Sequence, residues 1–302
     1  MSVCRHVNMD QINNQKTAYV LAGFAIFFWS TVATAFKIAL RHLSPSMLVL
    51  LASLSAFLIL MIWIVIRRDF TGFKNIRWIH VLHSAILGFL SPFLYYLILF
   101  EAYNLLPAQV AQPLNMVWPI VLVFMSIPLL KQRISWKSIV ALVICFIGVL
   151  FISSQGQLLH FGNTNFWGVS LALGSSFIWS FYFIYNLRDN RTEEHKLVLN
   201  FFFSTLYIII WNVLTDTFVW PEWKGVLSGT YVGIFEMGLT YLLWLKALRF
   251  SETTDKVSSL IYIAPFISLI FINFILGEHI YVTTFIGLIF LVTGILYQKT
   301  RV

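Results

Sequence analysis

Ten stretches of mostly apolar residues, separated by short polar connections, take up most of this chain. They run over 18–40, 46–66, 78–101, 108–129, 136–154, 166–186, 197–215, 225–247, 256–276 and 283–298. Most are close to the roughly 20 residues an α-helix needs to cross the hydrocarbon core of a bilayer. Lipid offers the backbone no hydrogen bonds, so a helix that satisfies its own polar groups is the natural form for each segment. No connection is long enough to fold as a domain. The pattern predicts an all-α membrane protein with ten transmembrane helices.

Composition supports this reading. Charged residues make up only 11% of the chain and hydrophobic residues 59%, whereas a soluble domain carries about 25% charged residues. The net charge of +8 invites a nucleic-acid partner, but its distribution argues against one. Counted from the N-terminus, 17 Lys and Arg residues lie in the tails and even-numbered connections, against Arg41 and Lys224 in the odd-numbered ones. Lys37 alone sits inside the first helix. The positive-inside rule reads this split as both termini cytoplasmic and an even number of spans, in the cell (inner or plasma) membrane. The bilayer is therefore the expected partner, with anionic head groups beside the basic face. Residues 1–17 are polar and lack the features of a removable signal peptide, so they read as a cytoplasmic tail. Cys4 in that tail and Cys145 in the middle of the fifth helix make no disulfide framework.

The chain also contains a weak copy of itself. Pro119–Leu150 aligns without gaps on Pro265–Leu296, and Trp78, Gly88, Tyr96 and Ala102 meet Trp223, Gly233, Tyr241 and Ala247. Trp29-Ser30 and Trp179-Ser180 pair at a slightly different offset. Ten helices in two copies give five per copy, and an odd number forces the second copy to insert upside down. Inverted repeats of this kind point to a transporter with a site near the bilayer midplane, between the copies. The expected division is a first five-helix repeat over 18–154, an external linker over 155–165 and a second repeat over 166–299.

Glu236 is the leading candidate for chemistry. It lies about eleven residues into the eighth helix, near mid-bilayer at about 1.5 Å per residue, where an ionisable group marks a pathway or relay by default. At 100° per residue, Gly229, Gly233, Glu236, Thr240 and Trp244 fall in a stripe about 80° wide, suited to a cavity wall. The competing reading is a protonated carboxyl bonded to a neighbouring helix. Ser30, Thr34 and Lys37 share a face of the first helix, with Lys37 either in the site or snorkelling to the external interface. Glu101 and Lys246 read as interfacial charges, and Glu278 as the cap of an external turn. Pro119 and Pro265, matched inside helices four and nine, are expected to break those helices and free carbonyls. Gln112 and Asn115 share a face with Pro119, and Ser258 and Tyr262 with Pro265. Trp29, Tyr95, Trp118 and Trp179 are deep or beside these faces, and read equally as packing or as site.

There is no GxxxxGK[ST] phosphate loop, no HExxH and no paired Cys/His ligand set. No ATP engine, metal, cofactor or enzymatic constellation is expected.

With these features the chain resembles the drug/metabolite transporter superfamily, in particular EamA-type ten-helix exporters. The resemblance rests on FFWSTVATAFKIAL in helix one, AYNLLPAQVAQPLNMVWPIV across helices three and four, the matching KALRFSETTDKVSSLIYIAPFISLIFINFILGEH, and GVLFI and GILY closing the copies. WST and NMVWP are similar to the aromatic amino-acid exporter branch. The first copy departs from the second, with Lys131-Gln132 where the second has Gly277-Glu278. The resemblance implies a basket of helices around a central cavity, with helices 1, 3, 4, 6, 8 and 9 lining the substrate path and 5 and 10 peripheral. The expected function is export of small metabolites, foremost amino acids, by alternating access, with proton coupling through Glu236 left open. A multidrug or cationic-amine exporter, a non-transporting sensor or membrane enzyme, and a channel are the alternatives.

Overall fold

The computed structural model describes residues 9–74, 76–118, 120–121, 124–125, 136–157, 165–187, 189, 191–251, 257 and 259–299. Among these the chain is helical throughout, without a strand. The spanning helices are α1 (Met9–Leu40), α2 (Pro45–Arg67), α3 (Trp78–Leu105), α4 (starting with Ala108–Asn115), α5 (Trp136–Ser153), α6 (Phe166–Leu187), α7 (Glu193–Leu214), α8 (223–250), α9 (259–276) and α10 (Val282–Lys299). Six of them are long and apolar enough on their own to cross a membrane, and α5, α9 and α10 contribute shorter apolar helices. Local chemistry sets several of the ends. Ser44 accepts from the Met47 amide at 3.3 Å and Pro45 follows it, a Ser-Pro start for α2.

Lipid-facing and buried surfaces separate cleanly. Phe274, Leu214 and Ile66 are more than 70% exposed, while α1 buries Ala18, Ala22, Ala25, Ala33 and Ala39 completely. Lipid tails are as apolar as Leu, so burial of apolar surface does not drive helices together; close approach through small residues does. The alanines let α1 sit against both α8 and α9. The same device joins the two halves along α5 and α10. A Cβ on Gly287 would stand 2.6 Å from the Gly148 carbonyl oxygen, and one on Gly294 would stand 2.5 Å from Cys145 Sγ.

The regular helices are α1, α2, α5, α6, α7 and α10. The irregular ones follow the repeat. α3 is broken at Ser91, whose backbone is extended (φ −150°, ψ 128°) just before Pro92, and a π-helical segment interrupts α8 at Val232–Gly238; the 145-residue offset makes the two irregularities overlap. The π-turn shifts the following side chains of α8 relative to an ideal helix, and both irregularities leave backbone groups without their usual partners. In α4, the helical run to Asn115 gives way to a turn at Met116-Val117. In α9, a 3₁₀ segment Ser259–Ile263 leads into Ala264–Phe271, and a π segment Ile272–Leu276 closes the helix. Pro265, expected to break the helix, lies in the first turn of its second segment, where its missing N–H costs least. Pro119, its counterpart, lies outside the described residues. Among the described residues, Pro113 lies inside a helix and Pro92 directly follows the Ser91 kink.

On the face that carries the termini, an ionic cluster ties the α6–α7 connection to the start of α3. Asp189 receives Arg191 Nε at 3.0 Å and lies 3.2 Å from His83 Nδ1, while Arg191 Nη2 donates to Ser84 Oγ at 2.8 Å. Burial opposes ionisation of Asp189, but the Arg191 hydrogen bonds outweigh it and hold the carboxyl at about 2. A depressed carboxyl stabilises the fold above its unfolded value of 3.8 and loses that contribution as pH falls through about 2. Asp189→Asn is thus expected to lower the thermal midpoint at neutral pH and to flatten its fall between pH 4 and pH 2, read by thermal denaturation in detergent.

Candidate functional site

The break at Ser91 in α3 and the π-turn in α8 lie on either side of a contact between Tyr96 of α3 and Glu236 of α8. Tyr96 Oη donates to Glu236 Oε1 at 3.0 Å. Trp29 of α1 stands beside the same carboxylate, but its indole does not complete a well-aligned hydrogen bond, and the buried Oε2 has no aligned donor. An acceptor left open in a low-dielectric setting is costly unless something else fills it.

A chain of aromatic rings runs around this carboxylate. Tyr96 meets Tyr95 at 4.7 Å between centroids, Tyr95 meets Trp179 at 4.9 Å, and Trp179 meets Tyr241 at 6.0 Å. Trp29 lies 6.3 Å from Tyr241 and 5.2 Å from Trp244, and Trp118 lies 6.5 Å from Trp179. Helices α1, α3, α4, α6 and α8 all contribute. Trp29, Trp118, Trp179, Tyr241 and Trp244 are half-buried rather than sealed, as is Glu236 itself.

A polar seam of α4 and α6 borders the rings. Tyr95 Oη donates to Asn115 Oδ1 at 3.1 Å, and Asn115 Nδ2 donates to Ser175 Oγ at 2.9 Å. Ser176 and Ser180 donate to the carbonyls of Asn115 and Trp118 at 2.9 and 3.1 Å. These are carbonyls that the turn in α4 releases, so the serines of α6 complete the break. Gln112 is buried with its Oε1 unpartnered.

The other sequence candidates fall elsewhere. Thr240 is fully buried and its hydroxyl bonds back to the Phe235 carbonyl across the π-turn. Gly229 and Gly233 pack against Leu51 and Ala52 of α2. The stripe drawn at 100° per residue is split because the π-turn changes the periodicity midway. The Ser30 hydroxyl donates to the Ile26 carbonyl at 2.7 Å. Tyr262 packs against the main core, and Ser258 lies outside the described residues. Two residues absent from the sequence reading, Tyr96 and Tyr241, join Glu236. The repeat alignment had already paired them as a matched tyrosine in each copy.

Lys37 caps a helix. Its Nζ donates to the carbonyls of Tyr103 at 2.7 Å and Leu106 at 3.0 Å, where α3 ends. Across the same corner, Glu278 accepts from the amides of Ala108 at 2.9 Å and Gln109 at 3.3 Å, where α4 begins. A cation on carbonyls and an anion on amides match the dipoles of the two helix ends. Gln109 binds the His279 carbonyl and the Tyr281 amide, at 2.8 and 3.1 Å, and fixes the α9–α10 connection to this corner. Lys37→Met leaves both carbonyls short of a donor. It is expected to lower the thermal midpoint by several degrees, with Lys37→Arg keeping part of the loss in hand; thermal denaturation of both variants checks this. On the opposite face, Lys246 lies 4.4 Å above the Trp63 ring and Arg67 lies 4.6 Å from it.

Among the described residues no group of three or more His, Cys, Asp and Glu is arranged to hold a metal ion.

A family profile of EamA-like transporters matches residues 16–154 and again residues 166–297. The chain belongs to the EamA-like transporter family. It is thus a multi-pass membrane transporter of the drug/metabolite transporter superfamily, with ten helices in two inverted halves. An uncharacterized transporter of Bacillus subtilis (strain 168), YvbV, is 25% identical over 297 residues, covering 97% of this chain and 94% of that one. An uncharacterized transporter of Archaeoglobus fulgidus is 25% identical over 289 residues, covering 93% and 96%. A crystal structure described only as that of a protein matches with a TM-score of 0.65 at 19% identity, over 94% of this chain and 96% of that one. At that identity the likeness concerns the fold alone.

Proposed function

We propose that this EamA-family transporter exports small zwitterionic metabolites, foremost amino acids with apolar or aromatic side chains, by alternating access about the Glu236 site. The observation that carries the reading is the open, buried Oε2 of Glu236 inside a wall of aromatic rings. A substrate ammonium group fits that carboxylate and gains cation–π attraction from the indoles. An apolar side chain fits the rings of Trp179 and Tyr241, and the Asn115–Ser175 seam offers polar groups to a carboxylate. The break in α3, the π-turn in α8 and the breaks in α4 and α9 lie on the two pseudo-symmetric sides of this site, where a rocking motion of one half against the other needs compliant segments. Glu236, Ser30, Thr34, Lys37 and the proline breaks keep different roles here: Glu236 binds, and Lys37 positions the α3–α4 corner.

Simple cationic amines are the second substrate class, because the same carboxylate and rings recognise them. A flux screen of labelled amino acids and amines in proteoliposomes, with and without a pH gradient, separates the classes. The expected result is movement of amino acids with apolar side chains above protein-free liposomes. Flux of amines alone would assign the site to cations, and absence of flux for both would overturn the reading. Stimulation by the gradient would add a proton-coupling role to Glu236. The orientation expected for this function has both termini in the cytoplasm, following the positive-inside split.

A further inference from the structure

A groove of about 570 Å³ opens beside the candidate site, with α1 as its floor and α8 and α9 as its walls. We propose that it holds an anionic phospholipid from the leaflet opposite the termini, with one acyl chain in the groove and the head-group phosphate on Lys224 and His42.

Three observations support this. The first is charge. Of the 20 Lys and Arg residues, the odd-numbered connections carry only Arg41 and Lys224. Lys224 lines the groove, and Arg41 directly precedes His42, which also lines it. Membrane insertion disfavours cations on this face, so their retention at one mouth points to a local anion. Trp223, beside Lys224 with its ring 5.8 Å from Nζ, is an interfacial aromatic that sets the mouth at head-group depth.

The second is shape. Below the mouth the walls are Ile38, Leu227 and Phe271, and the volume lies within the ordinary range for small-ligand sites, about 300–1,000 Å³. That accommodates one chain while the second stays in the bilayer. Phe271 of the wall meets Phe27 at 6.0 Å. Glu236, Tyr96 and Tyr241 are not among the residues that line the groove, so the lipid site is distinct from the substrate site.

The third is an unused donor. Thr34 is 3% exposed and lines the groove, and its hydroxyl has no hydrogen-bond partner. Its neighbour Thr31 is already bonded to Tyr231 Oη at 2.9 Å. Thr34 lies on α1 six residues before its end at Leu40, about 9 Å along the axis, and so faces the groove below the rim.

The test is native mass spectrometry of the full chain purified in detergent and incubated with equal amounts of phosphatidylglycerol and phosphatidylcholine. The wild type is expected to retain phosphatidylglycerol about fivefold over phosphatidylcholine. The double variant Lys224→Gln, His42→Gln, which alters residues at the rim, is expected to remove that preference. Leu227→Trp is expected to reduce retention of both lipids by filling the groove. Arg67→Gln with Lys246→Gln, on the opposite face, is expected to leave the preference intact. Equal retention by the wild type, survival of the preference in the rim variant, or its loss in the opposite-face variant would each overturn the proposal. Thermal denaturation confirms that each variant is folded before its adducts are counted.

Discussion

Replacing Glu236 by Gln is expected to cut transport by at least about tenfold while the helix bundle stays folded. The Tyr96 hydroxyl still finds an amide oxygen at 3.0 Å from its present position, so the local hydrogen bond survives. What disappears is the negative charge that meets a substrate ammonium. A hydrogen bond to a charged group contributes about 1.5–3 kcal/mol, or about 10- to 100-fold in binding. Counterflow and pH-driven flux, measured together in proteoliposomes, divide the two roles of this residue. Loss of both marks substrate binding. Loss of pH-driven flux with counterflow kept marks proton transfer alone. Full activity in both assays would remove Glu236 from the site.

The second large effect is structural. Gly287→Leu places a branched side chain where a Cβ already stands 2.6 Å from the Gly148 carbonyl oxygen and 2.7 Å from Ile152 Cγ1. Neither α5 nor α10 yields without losing contact along its length, because backbone, not a flexible side-chain tip, is in the way. Overpacking costs about 1–3 kcal/mol, and more where backbone must shift. The thermal midpoint is expected to fall by at least about 5 °C, with loss of monodisperse protein in gel filtration. Gly23→Leu is the control. A Cβ there meets nothing within 4 Å, so the same substitution is expected to change the midpoint little.

Much of the scaffold was legible in the chain because membrane insertion writes itself into simple patterns. Apolar length gives the spans, and five helices per copy force inversion. The site was less legible, for physical reasons that differ from residue to residue. Glu236 announced itself as a carboxyl at mid-bilayer depth. Thr240 shared its stripe only on an ideal helix, and the π-turn at Val232–Gly238 breaks that geometry. No local sequence signal marks the π-turn, whereas the break in α3 sits at Ser91 directly before Pro92. Tyr96 and Tyr241 were visible as a pair across the copies, yet their pairing read as scaffold symmetry rather than as chemistry. Lys37 binds backbone carbonyls 66 and 69 residues away, and carbonyls carry no side-chain signature from which such a partner is inferred.

The asymmetry between the copies also has a consequence for how the transporter works. Ser91 occupies the position in α3 that Glu236 occupies in α8, Ser91 at the kink and Glu236 within the π-turn. Under the proposed function, two overlapping breaks carry one carboxylate between them, so a single ammonium group has one place to bind whichever half moves.

Recognition of an ammonium group by Glu236 is tested most directly with a matched pair of substrates. Transport of an amino acid with an apolar side chain is compared with transport of its N-acetyl derivative, in wild type and in Glu236→Gln, at equal amounts of folded protein. The wild type is expected to favour the free amino acid by at least about tenfold, and Glu236→Gln to abolish that preference. Equal transport of the two compounds by the wild type, or a preference that persists in Glu236→Gln, would contradict a substrate site built on this carboxylate.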